Sequence, residues 1–527
     1  MLSGKLATLL IIATVLSVIG ALIVASRYRA AMQRFMKIEL NSGSTAGLSG
    51  TTPPAAERWP APPPARAVSL EDNLQAQRHL IAGFVGLAVL MALSRTLIMQ
   101  IVADGPITLK TISTLGAAYA WPVVPVLAVL GRWSRWRLVG VLLLWFVAAV
   151  ALLSWRTTEA VSFAQVFGWM LFDIGLPLIV VSALCLGSAT RAVAPWLAPL
   201  FILLCWASQA GVDLLAELVD QQSPLINWLV SWFSPVAGIA LFALAPWILA
   251  WWPARALGRW LAAAYARRQI SELFYLFTAV WVIALTGPAL GAISDLGWAT
   301  LVYFAPLLWI PLGAQLMRKS AERRQSGRPP TLLVLRVFQQ DANVQDLFDR
   351  VIERWRLSGN TVLIAGTDLA ERTIDADDIF TFLDGRLGER FIHSKAEVRP
   401  RLAAFEWQPD AEGRYRVNEC YCHDTTWQEA LAELVRCSDV VLMDLRNFVA
   451  RNAGCLHELQ ELAKASGLSR VVVLINDQTQ LPAAQAAINS AIAHAPPGRF
   501  VWIAQNGAQP PQARQVLGAL LASPARL

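Results

Sequence analysis

From the amino terminus to about residue 317 the chain is a succession of apolar runs about 20 residues long, separated by short polar loops. They predict about nine membrane-crossing helices, centred on residues 6–25, 80–101, 113–131, 138–154, 168–188, 194–212, 227–251, 274–293 and 298–317. A soluble protein with a very apolar core does not need repeated stretches of that length. A basic segment follows, Arg318 to Arg328, and from residue 331 the rhythm changes. Short runs rich in Val, Leu and Ile at residues 331–338, 361–365, 440–445, 470–475 and 500–503 predict buried strands. Amphipathic periodicity at 344–357, 427–437, 456–465, 483–493 and 513–521 predicts helices between and after them. Alternating strands and helices imply a mainly parallel sheet covered on both faces.

The pattern divides the chain into an amino-terminal membrane anchor (1–26), a Pro-rich linker (27–78), a polytopic α-helical membrane domain (79–317), a basic linker (318–330) and a carboxy-terminal α/β domain (331–527). Charge follows the same division. Residues 1–330 hold 24 Lys and Arg against 13 Asp and Glu, whereas residues 331–527 hold 20 against 24. The overall pI of 9.3 therefore describes neither half and gives no reason to expect a nucleic-acid partner. With the amino terminus outside, the Arg and Lys clusters at 27–37, 132–137, 255–268 and 318–324 all fall on the cytoplasmic side, which also places the α/β domain in the cytoplasm. The lipid bilayer is then the first partner. Arg outnumbers Lys 38 to 6, a bias associated with GC-rich bacterial genomes, so the expected location is a bacterial inner (plasma) membrane.

The first apolar run has one Lys before it and four basic residues after it, the polarity of an uncleaved anchor rather than of a signal peptide. Residues 41–66, built from Gly, Ser, Thr, Ala and Pro, read as a tether without a core. Residues 254–272 interleave Arg with Leu, Trp and Tyr and predict an amphipathic helix in the cytoplasmic interface. Two charges lie well inside apolar runs: Arg95, near the outer end of its helix and expected to snorkel, and Asp173, beside Gly175 and Pro177, a candidate polar site. Most of the 22 Trp lie near span ends, as interfacial belts require. Six scattered Cys are too few for a disulfide scaffold and read as free thiols.

Ligands of parallel sheets bind at the carboxyl ends of strands, which directs attention to residues 338–341, 366–368, 444–447 and the loop after Ile475. None of these turns carries a Gly-rich phosphate fingerprint, which argues against a conventional dehydrogenase or nucleoside triphosphatase. The most specific stretch begins with Cys437, Ser438 and Asp439, continues through an apolar strand to Leu445, Arg446, Asn447 and Phe448, and ends with Gly454, Cys455, Leu456, His457, Glu458 and Leu459. It resembles the Toll/interleukin-1 receptor (TIR) domain. Ser438 matches the residue before the family's strand, Asn447 and Phe448 its turn, and Cys455, Glu458 and Leu459 its helix opening. Gly454 stands where the family has Trp and Arg446 where it has Ser, and residues 368–424 exceed the family's usual segment.

The resemblance covers roughly residues 331–505. It implies a flavodoxin-like, TIR-like sheet, a homo-oligomer formed through the soluble domain, and NAD as a substrate rather than a cofactor. Glu458 would be the catalytic glutamate, with Phe338, Gln339, Thr367, Arg446 and Asn447 around the nucleotide. Cleaving the nicotinamide bond expels a neutral leaving group, so no general acid is needed there, and one carboxylate suffices to stabilise an oxocarbenium-like ribose. The plain alternative is that Glu458 is a solvated residue near the start of its helix. Cys420, Cys422 and His423, with Asp424 and His393 as further donors, would suit a metal, but no second pair with zinc spacing exists, and buried strand cysteines are the simpler expectation. Three functions stay open: a signalling or defence protein that binds or hydrolyses a nucleotide, a noncatalytic interaction module, and a regulated transporter.

Overall fold

A computed structural model describes residues 2–37, 63–156, 162–185, 188–232, 234–292, 296–324, 327–336, 348–365, 382, 387–422, 426–491, 499–504 and 513–522. They fall into two units, one built from Met1–Arg27 and Ile81–Leu316, the other from Tyr28–Leu80, Met317–Ile374 and Thr381–Leu527.

Among the described residues nine helices are long and apolar enough to cross a membrane, running from Thr8–Met32 to Ala299–Arg324. Local chemistry sets several of their ends. Ser162 and Gln165 form a reciprocal capping box, and the Thr108 hydroxyl accepts the Thr111 N–H, so backbone donors at these helix starts are satisfied. Helices Ser188–Asp220 and Pro235–Ala266 pack closely at Gly211, where a Cβ would overlap the Phe242 carbonyl oxygen. The amphipathic stretch 254–272 is divided between two helices. Helix Pro235–Ala266 runs through Pro246 and Pro253, ends at Arg267 and Arg268 (φ +57°), and a new helix starts at Glu272 after the Ser271 cap. Leu261 and Tyr265 of this stretch pack on Tyr275 and Ala279 of the next helix, while Trp260 stays exposed.

The second unit contains a seven-stranded sheet in which every pairing is parallel. Its strands are β1 (Thr331–Arg336), β2 (Asn360–Ala365), β3 (Phe391–Ile392), β4 (Val417–Cys422), β5 (Val440–Asp444), β6 (Arg470–Ile475) and β7 (Phe500–Ala504), in the spatial order β3-β4-β2-β1-β5-β6-β7. One face, with Leu333, Val362, Val441 and Val471, packs on helices Lys395–Ala403, Trp427–Cys437, Ala453–Lys464 and Leu481–Ala491. On the alternate positions Leu332, Val334, Leu442 and Leu474 are buried as well, and helix Ala513–Leu521 contacts β5 and β6. Near-continuous Val and Leu along these strands is what burial on both faces demands.

Five strands fall where the sequence pattern put them. The pattern missed β3, β4 and the helix Lys395–Ala403, which lie inside the long segment 368–424 and extend the sheet beyond β2. β3 has only two residues, and β4 mixes Asn, Glu and Tyr with its cysteines, so neither gives a clean apolar run. Buried Arg side chains fix this insertion: Arg356 Nε donates to the Tyr415 carbonyl at 2.8 Å, and Arg416 Nε to Asp410 at 2.9 Å.

Residues from the amino-terminal third also belong to this unit. Helix Leu2–Lys37 continues past the expected anchor end, and Phe35 packs on Phe391 of the edge strand with ring centroids 5.6 Å apart. That aromatic row goes on to Tyr421 at 5.4 Å and covers a sheet edge that would otherwise invite pairing. Asn73, 1% exposed in the first turns of helix Leu70–Val102, donates to the Arg354 carbonyl (2.8 Å) and to Ser358 Oγ (2.6 Å). Asn73→Ala strands these buried acceptors. We expect a loss of about 1–3 kcal/mol, read as an earlier unfolding midpoint of the second unit by near-ultraviolet circular dichroism on the full chain.

Candidate functional site

β1 and β5 are neighbours at the centre of the sheet, with Arg336 opposite Asp444 in register, while their following segments leave in opposite directions across it. The carboxyl ends of these two strands therefore border the crevice at which the winding reverses. On the β5 side the chain turns through Leu445, Arg446, Asn447 and Phe448 into helix Ala453–Lys464.

The turn is braced from β6. Asn447 adopts a left-handed conformation (φ +60°), which Asn tolerates better than most residues. Its N–H donates to Asn476 Oδ1 at 2.9 Å, and Asn476 Nδ2 returns a bond to Asn447 Oδ1 at 2.7 Å. The Thr479 hydroxyl donates to the Leu445 carbonyl at 2.9 Å, and the Gln480 N–H to the Phe448 carbonyl at 3.0 Å. Phe448 is fully buried beneath this mesh. The Arg446 side chain folds back onto the strand end, with Nε 2.8 Å from Asp444 Oδ1 and Nη2 2.5 Å from Oδ2, both residues being buried. Arg446 thus neutralises the carboxylate at the end of β5.

Glu458 lies one and a half turns into the helix, on the stripe Cys455, Glu458, Leu459 and Leu462 that faces the sheet core. At 3% exposure it is not a solvated helix-start residue. A buried carboxylate on a core-facing stripe is a costly placement that ordinary packing does not ask for. The structure thus brings Glu458, Arg446 and Asn447 to one end of the sheet. Phe338, Gln339 and Thr367 lie outside the described residues. The sequence reading missed Asp444 as the partner of Arg446, though the i, i+2 carboxylate–guanidinium spacing at a strand end was visible. It also missed the Asn476 and Thr479 brace, which only the β5–β6 pairing creates.

Burial pushes the Cys455 thiol up to about 12, helped by the negative charges of Glu458 and Asp444, so it packs as a neutral group and is no nucleophile. On β4 the Cys420 and Cys422 sulfurs stand 3.4 Å apart on one face, as strand alternation requires. The Cys420 thiol is held well above its usual range, first by its hydrogen bond to Cys422 and then by burial. His423 and Asp424 lie outside the described residues, and the His393 backbone N–H donates to Glu397 at 3.2 Å. Among the described residues no cluster of three or more His, Cys, Asp or Glu that could hold a metal is present.

The first unit carries a polar site of its own. Arg95 does not snorkel: it is 1% exposed, and its Nη2 lies 2.6 Å from Asp173 Oδ1, so the two charges read separately inside apolar runs are one ion pair. The guanidinium carbon sits 3.8 Å above the centre of the Tyr119 ring. Asp173 occupies a π-helical turn, Leu171–Gly175, between helices Phe163–Met170 and Leu176–Cys185. Such turns displace a side chain from the regular helical face and recur at functional positions. Among the described residues Arg95 Nε and Nη1 have no hydrogen-bond partner.

Two tests follow from these environments. The Cys455 thiol, near 9 when unfolded and about 12 when folded, contributes stability that is complete below pH 9 and lost as pH rises toward 12. Alkaline unfolding of the wild type should therefore shift to higher pH in Cys455→Ala relative to each protein's own neutral stability, and iodoacetamide below pH 9 should reach Cys455 only after unfolding. In the first unit Asp173→Asn leaves a buried guanidinium uncompensated and should cost about 3–5 kcal/mol, whereas Arg95→Leu with Asp173→Leu should recover most of it, both read by unfolding in detergent. In comparison with known proteins, no family model, curated protein or solved structure matches this chain, and the reading of its function rests on its own residues.

Proposed function

We propose that the second unit is a TIR-like domain that binds and hydrolyses NAD at the crevice between the carboxyl ends of β1 and β5, on a signalling or defence-type protein of the bacterial inner membrane. The observation that carries this reading is Glu458, a buried carboxylate on the core-facing stripe of the helix after β5, beside a strand end whose own acid is already neutralised by Arg446. The strand order supports it. With the inserted β3 and β4 set aside, the remaining strands lie second, first, third, fourth, fifth, which is the flavodoxin-like order with its crevice at the first and third.

In the proposed reaction the bond between ribose C1′ and the pyridinium nitrogen breaks and its electron pair goes to that nitrogen, so nicotinamide leaves neutral. Glu458 stabilises the positive ribose, water adds at C1′, and its proton passes to solvent. Asn447 and Arg446 border the nucleotide. The amino terminus lies outside, the domain lies in the cytoplasm, and self-association through the domain completes the active form.

Incubation of the full chain in lipid nanodiscs with NAD, at high protein density, should release nicotinamide. Glu458→Gln should keep the fold and lose about 100-fold or more of that turnover, because an amide keeps the shape without the charge. Assembled wild type that leaves NAD intact would put a noncatalytic interaction module first. The Arg95–Asp173 pair favours a second reading, a regulated transporter, whose mark is a solute or proton flux lost in Asp173→Asn and indifferent to Glu458→Gln.

A further inference from the structure

The second unit holds a cavity of about 680 Å³ at the opposite end of the sheet from the Arg446–Asn447 turn. It opens at the amino ends of β1 and β2, where Thr331 and Asn360 are register partners, and is walled by the helices Lys395–Ala403 and Trp427–Cys437 and by the end of helix Ala453–Lys464. Its size suits a ligand of nucleotide or short-lipid dimensions.

Three features of the lining specify what fits. The first is charge: Arg328, Arg399, Arg436 and Lys464 stand against three carboxylates, Glu433 and Glu461 of the lining and Asp439, which pairs with Arg328, while Lys464 pairs with Glu461 at 2.9 Å. Glu433 alone serves two guanidinium groups, Arg399 at 3.1 Å and Arg436 at 2.6 Å, so positive charge is in excess around it. Arg436 and Lys464 are half exposed at the mouth, where a phosphate or phosphate ester would meet them. The second is an apolar wall of Leu402, Val435 and Trp407, with Trp407 also packed against Phe405. The third is Asn360, 2% exposed, whose Oδ1 has no hydrogen-bond partner in the protein. A buried acceptor left in that condition costs free energy unless a ligand donor reaches it.

We infer that this cavity binds a small organic phosphate: an anionic head between Arg436 and Lys464, an aromatic or apolar body against Trp407 and Leu402, and an N–H or O–H donor on Asn360. A soluble nucleotide and the head and glycerol portion of an anionic phospholipid share that chemistry. The inference does not rest on NAD cleavage, since the cavity lies at the amino ends of β1 and β2, whereas Arg446 and Asn447 follow the carboxyl end of β5.

The test uses the full chain in nanodiscs of phosphatidylcholine alone, with two labelled probes in equilibrium dialysis: AMP, and dihexanoyl phosphatidic acid below its micelle concentration. One probe should bind at one equivalent per chain. Inorganic phosphate should compete about tenfold less well or worse, because it leaves the apolar wall and Asn360 unmet. Arg436→Glu reverses the mouth charge, and Ala432→Trp fills the mouth from an exposed helix position; each should weaken binding by about tenfold or more while the unfolding midpoint stays near wild type. AMP binding identifies a soluble nucleotide as the source, and lipid binding the membrane. Failure of both probes at millimolar concentration, or binding unchanged in both variants, overturns the inference.

Discussion

The parallel ladder between β1 and β5 is the interaction on which the soluble half depends. It joins residues more than a hundred positions apart, so its loop-closure cost is met only because both strands are buried on both faces. Everything before β5 in the sheet then lies to one side and everything after it to the other. That reversal opens the crevice at the strand ends and delivers Asp444, Arg446 and Asn447 to its rim. The brace from Asn476, Thr479 and Gln480 holds the rim in place, and exists because β6 continues outward from β5.

Buried charge is handled in three different ways along the chain. Asp444 and Arg446 cancel each other within one turn of backbone, giving a rigid and nearly neutral strand end. Arg95 and Asp173 do so across helices in apolar surroundings, with a π-helical turn bringing the carboxylate within reach and an aromatic face beneath the cation. Desolvation makes such a pair a poor source of stability compared with an apolar core, so its presence favours a role in position or response. Glu458 is the third case, a buried carboxylate on the core-facing stripe of its helix.

The two edges of the sheet thus differ in chemistry. At the carboxyl edge, the Asp444–Arg446 pair and the turn braced from β6 lead into helix Ala453–Lys464, which carries the buried Glu458. At the amino edge, helix ends and clustered Arg and Lys surround a cavity with an apolar wall, an environment for holding a charge already present. Arg399 and Leu402 of helix Lys395–Ala403, with Trp407 after it, supply part of that wall.

Hydrophobic period alone determined the nine helices of membrane-crossing length among the described residues and the parallel α/β unit, because run length and strand alternation are local properties of neighbouring residues. It located β1, β2, β5, β6 and β7, and placed Glu458, Arg446 and Asn447 after β5. It did not reveal β3 and β4, whose short or polar strands are stabilised by partners rather than by their own pattern. Nor did it show that Phe35 and Asn73, both read as belonging to the linker 27–78, complete the second unit. Arg95 and Asp173 were each visible as a charge in an apolar run, but residues 78 positions apart become one ion pair only through packing. Pairing across sequence is a property of the folded chain, since burial is set by what lies opposite a residue and not by what lies beside it.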